Sequence, residues 1–501
     1  MPAARLLLTT LALTLGAATA SADTGPDPVP GETRGVILVG NNWEGTTDVV
    51  DPYTLQRLDR INVIPDKAER EAEIMLDPVD GPYFILIREQ VGEGHDQYND
   101  DVFSSHDGRT IYVSRPSFAD VVAIDLQTKE IVWRFPVAGQ RADHMGISPD
   151  GTKLLVSAST ANVVHEIDLA TGTESGRFAS GDSPHESNYS QDGSTIYHAS
   201  IGRVYLPSDE PAADRTSKGS RVFLIVDADT LEVKKTLDMG AKLDEAGHPD
   251  MSSAVRPMAI SPDEKTLYFQ VSFFHGFVEY DLQTDKVTRV AELPIAEKTQ
   301  ELDRSQYLLD SAHHGLAING AGSKLCVAAT MSDYAAIVDR KTFAFSRIDG
   351  ITKPYWSTNS HDGRWCYVSG SGDDAVHIIS YATGRRLAKF PVGFHPQRVR
   401  NGVARVEIYP PVAAGPFKLR ARVGKAAGVT CRATGKALLS SCAVRVRQGG
   451  KVVARGERLG RSKRRAVVKL DGAMSSGTRA TIIATGTDVT GRRKTVRVRT
   501  G

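Results

Sequence analysis

Ser148-Pro149-Asp150-Gly151, then Leu154-Leu155-Val156-Ser157, then Val164-His165-Glu166-Ile167-Asp168-Leu169: this stretch decides the fold. The tetrapeptide is turn chemistry, because an Asp side chain hydrogen-bonds backbone a few residues on and Gly accepts a positive φ. The runs that follow are apolar, alternate with period two and read as strands. The unit is therefore a strand, a turn, a second strand, a third strand ending in Asp, and another turn.

The unit recurs. Ser105-His106-Asp107-Gly108 leads into Ile111-Tyr112-Val113-Ser114 and Val121–Leu126, and further copies of the turn stand at Ser190-Gln191-Asp192-Gly193, Ser261-Pro262-Asp263-Glu264, Asn319-Gly320-Ala321-Gly322 and Ser360-His361-Asp362-Gly363. Counting a last equivalent at Gly402, the turn positions are spaced by 43, 42, 71, 58, 41 and 39 residues. A period near 40 with four strands per unit means a β-propeller; the longer spacings are a blade plus an insertion. Seven copies are present, the first of them split. Val36–Gly40, Thr47–Asp51 and Arg57–Val63 supply three strands of blade 1, and Pro396–Gly402 is the fourth. Such a ring closes by pairing its C-terminal strand with N-terminal ones, so that no edge is left open.

These repeats, with the strands Tyr112-Val113-Ser114, Leu155-Val156-Ser157 and Tyr367-Val368-Ser369, resemble the YVTN-type propellers of secreted bacterial proteins. That superfamily also contains lactonase-like propellers and the heavy chain of quinoprotein amine dehydrogenases. The resemblance covers about residues 35–402 and implies the fold; it does not imply one function, because this fold hosts binders, lyases, hydrolases and redox enzymes.

Charge divides the chain where the repeats end. The whole sequence has 61 basic and 60 acidic residues, yet from Val403 onward 23 Lys and Arg face four acids, a surplus of +19 that leaves −18 for residues 1–402. The basic segment, 403–501, carries short strand-like runs at Lys418–Val423, Ala443–Arg447, Lys451–Arg455, Ala466–Leu470, Ala480–Thr485 and Thr495–Arg499, and is expected to form a small immunoglobulin-like β-sandwich. At the other end, Arg5, the apolar run Leu6–Leu15 and Ala20-Ser21-Ala22 read as a secretory signal over residues 1–22, followed by a Pro/Gly-rich lead over 23–34. No other stretch is long and apolar enough for a membrane helix. The expected class is all-β, a seven-bladed propeller followed by the sandwich, in a secreted or wall-associated protein.

In an oxidising compartment cysteines pair. Cys326 and Cys366 lie in the second strands of blades 6 and 7 and, aligned on their turn glycines, are one position apart. They thus point to opposite faces of their own sheets, as two side chains meeting between adjacent blades must. A Cys326–Cys366 disulfide is expected between the blades, and Cys431–Cys442 within the sandwich; nothing resembles C-x-x-C metal or redox chemistry.

The loops between second and third strands, and those joining consecutive blades, share one face of a propeller. Insertions fall there at 65–100, 201–220, 241–254 and 295–312. The innermost strands begin on the same face. At or just before their first residues stand Asp100 and Asp101, His144, His185, Arg256, His313 and His314, Tyr355 and Trp356, and His395, with Glu186, Asp310 and His275 nearby. Seven-fold arrangement makes them converge on one axial mouth, rimmed by Tyr205, Phe273, Phe274 and Tyr307. His144, His185, His314 and His395 could hold Cu or Zn, since neutral imidazole is the commonest ligand for both. The propellers of nitrous oxide reductase and methanethiol oxidase place histidines at comparable positions, and this chain is similar to them in that respect only. The plainer reading is that these rings fill the blade entrances or contact a ligand.

The sequence contains no H-E-x-x-H, G-x-S-x-G, P-loop or G-x-G-x-x-G. Three functions remain: a protein binding a small molecule or peptide at the axial mouth; an enzyme using the axial histidines, with Arg256 neutralising an anionic group; and a wall-attached adhesive or structural protein. In the last, the clusters Arg461–Arg465 and Arg492–Lys494 contact anionic cell-wall polymer rather than nucleic acid.

Overall fold

In the computed structural model, which describes residues 25–204, 206, 216–412, 415–424, 428–472 and 479–500, the repeats become seven four-stranded antiparallel sheets between Thr33 and Arg405. The fold is all-β and β-propeller-like. The expected signal segment and Tyr205 lie outside the described residues.

The turn residues act as their chemistry requires. Ser148 Oγ donates to Asp150 Oδ1 at 2.6 Å and accepts from the Lys153 amide at 3.0 Å, while Gly151 takes φ +71°. In six of the seven sheets an Asp at the end of the third strand folds back on the next turn: Asp168 Oδ1 accepts from the amides of Ala170 and Thr171, and Asp51, Asp125, Asp227, Asp281 and Asp339 do likewise in their own copies; in the seventh, Ser380 Oγ accepts from the Thr383 amide. These local devices start and stop the strands with the same register in each unit.

The first strand of each sheet packs against the first strand of the next, around a closed ring of seven. The ring closes through Pro396–Arg405, which pairs antiparallel with Thr33–Asn41 from Thr33↔Arg405 to Asn41↔Pro396. The pairing runs three residues past Gly402 and starts before Val36. Two glycines show how tightly the inner strands approach: a Cβ on Gly146 would lie 2.4 Å from Ser187 O, and one on Gly315 2.9 Å from Ser357 N.

Cys326 and Cys366 form a disulfide between the sixth and seventh sheets, inside a fully buried apolar cluster with Val368, Ile337 and Ile351. Beyond Arg405 come seven strands in a three-stranded and a four-stranded sheet around one core of Val429, Leu439, Val444, Val468 and Ile482. One strand, Gly428–Thr434, had no counterpart among the expected runs. It carries Cys431, and Cys442 stands on Leu439–Gln448 of the other sheet, so this disulfide ties the two sheets together.

The largest difference from expectation is the insertion at 65–100, read as loop. It contains two helices, α1 (Lys67–Leu76) and α2 (Asp80–Gln90). Ile74 and Phe84 bury themselves against Tyr98 and Phe118, and Arg115 pairs with Asp66 just before α1, so the helix pair is pinned to the second sheet.

Candidate functional site

A cavity of about 560 Å³ opens where the inner strands begin. Its walls come from the face expected to work: the inner strands, the connections around Arg141, Asp182 and Leu309–Ser311, the loops at Ser159–Asn162 and Ile201–Val204, and α2 across the top with Tyr83, Leu86, Ile87 and Val91.

Why consecutive residues point into it is a matter of backbone. In a regular strand Asp143 and His144 would face opposite sides. The pairing of Ala142–Ile147 with its neighbour is irregular between Ala142 and Met145, and similar shifts occur at Pro184–Glu186, Val255–Met258 and Pro354–Ser357. Bulges of this kind re-aim side chains at the rim of a sheet. They bring Asp143 with His144, and position His185, Arg256 and Tyr355 on the cavity wall.

At the floor, three imidazoles meet. The ring centroids of His144 and His185 are 3.8 Å apart, those of His185 and His314 5.5 Å, and those of His144 and His314 5.8 Å. Each ring is 2 or 3% exposed. Burial, reinforced by Arg398 and by the neighbouring imidazoles or Arg256, holds all three well below the usual histidine range, so they are uncharged at neutral pH. Nδ1 of each has no hydrogen-bond partner among the described residues.

Beside them lies a charged group that the sequence did not single out. Arg398, from the closing strand, donates to His144 Nε2, stacks over Trp356 with its guanidinium 4.0 Å from the ring centre, and stands 3.8 Å from Asp100 Oδ2. Arg141 pairs with Asp143, whose Oδ1 is 3.6 Å from His144 Nε2; Asp100 Oδ2 is 3.8 Å from the same nitrogen. Burial pushes both carboxyls up, Asp100 to about 6, against the pull of the adjacent arginines.

The other expected residues divide. Tyr355 lies against His314 with ring centres 4.2 Å apart and lines the cavity, as does Arg256, whose Nε donates to Ser272 Oγ at 3.1 Å. Asp101 is taken up by Arg400, at 2.9 Å, and joins the first two sheets. Glu186 Oε2 accepts from the Met258 amide at 3.3 Å and joins the fourth and fifth sheets. Trp356 is buried under the arginine pair Arg398 and Arg400. His275 bonds Tyr307 Oη at 2.9 Å and lies edge-on to His313, and neither ring lines the cavity. Asp310 pairs with Lys218, whose ammonium lies over Phe273; Phe274 packs partly into the core of the fifth sheet.

The expected four-histidine set is corrected to three. His395 takes φ +55° and stacks on Trp43 at 3.5 Å, and His95 covers the other side of that indole at 4.0 Å. This sandwich fastens the chain leaving α2 to the ring, and an ion pair between Lys353 and Glu93 adds to it. His395 is thus a clasp of the cap, not a member of the cluster.

No family model matches the chain, and no curated protein matches it. Among solved structures it is similar to Kuenenia stuttgartiensis hydrazine synthase, at 16% sequence identity and a TM-score of 0.48, over 71% of this chain and 97% of that one.

Proposed function

We propose that this protein is a seven-bladed propeller that binds a small molecule in its axial cavity, beneath the α1–α2 cap. One observation carries the reading: a cavity of about 560 Å³ is lined by inner strands of the ring and roofed by one helix. Ligand sites are concave, of roughly 300 to 1,000 Å³, mostly apolar and furnished with a few convergent polar groups. Here Leu86, Ile87, Val91 and Ile201 supply apolar wall, and the imidazoles, Arg141, Arg256 and the Asp100/Asp143 pair supply polarity. The ligand is accordingly a compact molecule with one apolar face and one hydrogen-bonding face; an extended peptide would have to displace the cap.

The test is a thermal-shift screen of the full chain against small polar-aromatic and carboxylate-bearing compounds, run beside Ile87→Trp, which fills the space under the cap. Saturable stabilisation, about 2.7 kcal/mol at a hundredfold excess over Kd, should appear in the wild type and vanish in Ile87→Trp. Stabilisation that survives the filled cavity places the ligand elsewhere and overturns the reading.

The compartment that fits is outside the cytoplasm. Both disulfides, with no free cysteine among the described residues, support it. Among those residues no helix is long and apolar enough to cross a membrane. We further read the C-terminal domain as an immunoglobulin-like sandwich that holds anionic wall polymer; a groove lined by Arg458, Arg461, Lys463 and Arg465 supports this.

A further inference from the structure

The histidines at the cavity floor go beyond ligand contact. We propose that His144, His185 and His314 bind one late first-row divalent metal ion, Zn²⁺ or Cu²⁺, leaving a coordination position open to the cavity. The idea stands or falls separately from the organic-ligand reading.

The donor set comes first. One ring nitrogen of each histidine lies within 4.8 Å of those of the other two, so small ring movements bring them to a common centre. A buried polar atom almost always has a hydrogen-bond partner. Three imidazoles of one cluster each keep a buried, unpartnered Nδ1 among the described residues, so three nitrogen lone pairs or protons stand together without a protein partner. All four cysteines are in disulfides, so the available donors are nitrogen and oxygen, which suits Zn²⁺ and Cu²⁺.

The surroundings of His144 supply the second argument. An imidazole that ligates through one nitrogen carries its proton on the other, and a carboxylate commonly receives that proton. His144 Nε2 has Asp143 Oδ1 at 3.6 Å and Asp100 Oδ2 at 3.8 Å, the latter an unpartnered buried oxygen. Arg398 donates to the same Nε2. Ligation through Nδ1 removes that acceptor. Arg398 then has Asp100 and Asp101 to turn to, 3.8 and 3.9 Å away, and Nε2–H donates to the aspartates. Metal uptake is thus an exchange of hydrogen-bond partners within groups already in place. The fourth position faces the cavity because all three histidines line it.

The experiment uses the untagged full chain, dialysed against chelator and then chelator-free buffer. Zn²⁺ or Cu²⁺ is added separately, excess is removed by gel filtration, and bound metal is counted by elemental analysis. About one equivalent of either is expected, Cu²⁺ held more tightly in competition, as the usual affinity order requires. Asp143→Asn should weaken binding roughly 10- to 100-fold. His314→Gln and His185→Ala should abolish stoichiometric binding with far-ultraviolet circular dichroism unchanged, and His248→Ala, just after the helix Met239–Glu245 and outside the cavity lining, should retain it. If the histidine variants do not fold, Co²⁺ added to the wild type decides: intense visible bands of a four-coordinate ion support the site, and only weak six-coordinate bands overturn it. Substoichiometric metal in the wild type, or full binding in His314→Gln, also overturns it. A cavity ligand that still stabilises such metal-free protein would leave the small-molecule reading intact while this one fails.

Discussion

Replacing Glu457 should loosen the basic sandwich from the propeller. Its carboxylate, 2% exposed, crosses the junction: Oε1 accepts from the Trp365 indole N–H at 2.9 Å and lies 3.5 Å from Arg364 Nη1, while Oε2 accepts from the Ser380 hydroxyl at 2.7 Å. Leu459, two residues on, packs with Trp365, Tyr367 and Phe390. Glu457→Ala strands the indole N–H, at a cost of about 1–3 kcal/mol for an unsatisfied buried donor. The Ser380 hydroxyl can rotate and loses less. Arg364 keeps Asp362 at 2.7 Å and Ser441 at 3.0 Å, so no charge is left alone, and the loss stays at or below the ~3–5 kcal/mol seen when a buried ion is orphaned. Together these give about 3 kcal/mol for Glu457→Ala and about 1 kcal/mol for Glu457→Gln, which retains one acceptor oxygen. Denaturant unfolding of the full chain, followed by tryptophan fluorescence, reads the loss; limited proteolysis between the last propeller strand and Lys418 reads the undocking. A Glu457→Ala midpoint unchanged within about 0.5 kcal/mol, the range of ordinary surface substitutions, would refute the reasoning. So would a Gln variant as damaged as the Ala one.

The same junction should be acid-sensitive through Asp362. Burial alone would raise its carboxyl, but Arg364, Arg493 and the Ser360 hydroxyl hold it down at about 2, against ~3.9 in an unfolded chain. A depressed carboxyl stabilises above the unfolded value and ceases to as pH falls from ~4 toward 2, a contribution of about 2.5 kcal/mol. The stability gap between wild type and Asp362→Asn should therefore close between pH 4 and pH 2; a gap equally wide at pH 7 and pH 2 contradicts it. For the wall-polymer reading, the full chain should stay retained on an immobilised polyanion at ~0.15 M salt, where the screening length is already ~8 Å, and elute only above it; loss of retention at that salt counts against wall attachment. Arg461→Gln/Lys463→Gln/Arg465→Gln should elute earlier, and identical elution would exclude the groove as the contact.

Much of the architecture is legible because it is written locally. The Ser-x-Asp-Gly turns and strand-ending aspartates make their hydrogen bonds within a few residues, so their recurrence counts the sheets and marks where each inner strand begins. The one-position offset of Cys326 and Cys366 is likewise a local register that period-two strands convert into facing side chains. Gly428–Thr434 escaped because its apolar residues are small and interleaved with Arg and Thr. The cap escaped for another reason. α2 has one side on the cavity and another exposed, so Tyr83, Phe84, Ile85, Leu86 and Ile87 run without a helical period.

What the amino-acid sequence determines by itself, then, is the repeat, the direction and number of its strands, the opposite charges of the two parts, and the ring of residues at the inner strand ends. What only the tertiary structure decides is which of those residues meet. Arg398 reaches His144 across 254 positions because the closing strand is the innermost of its sheet, as the strand of His144 is of its own. Asp143 joins its neighbour in the cavity because a bulge cancels the alternation a sequence reader must assume. His395, equivalent by position to the cluster histidines, turns through a positive φ onto Trp43 and becomes part of the clasp. Side-chain direction at a strand end depends on backbone irregularity and on partners distant in the chain, and neither leaves a local signature.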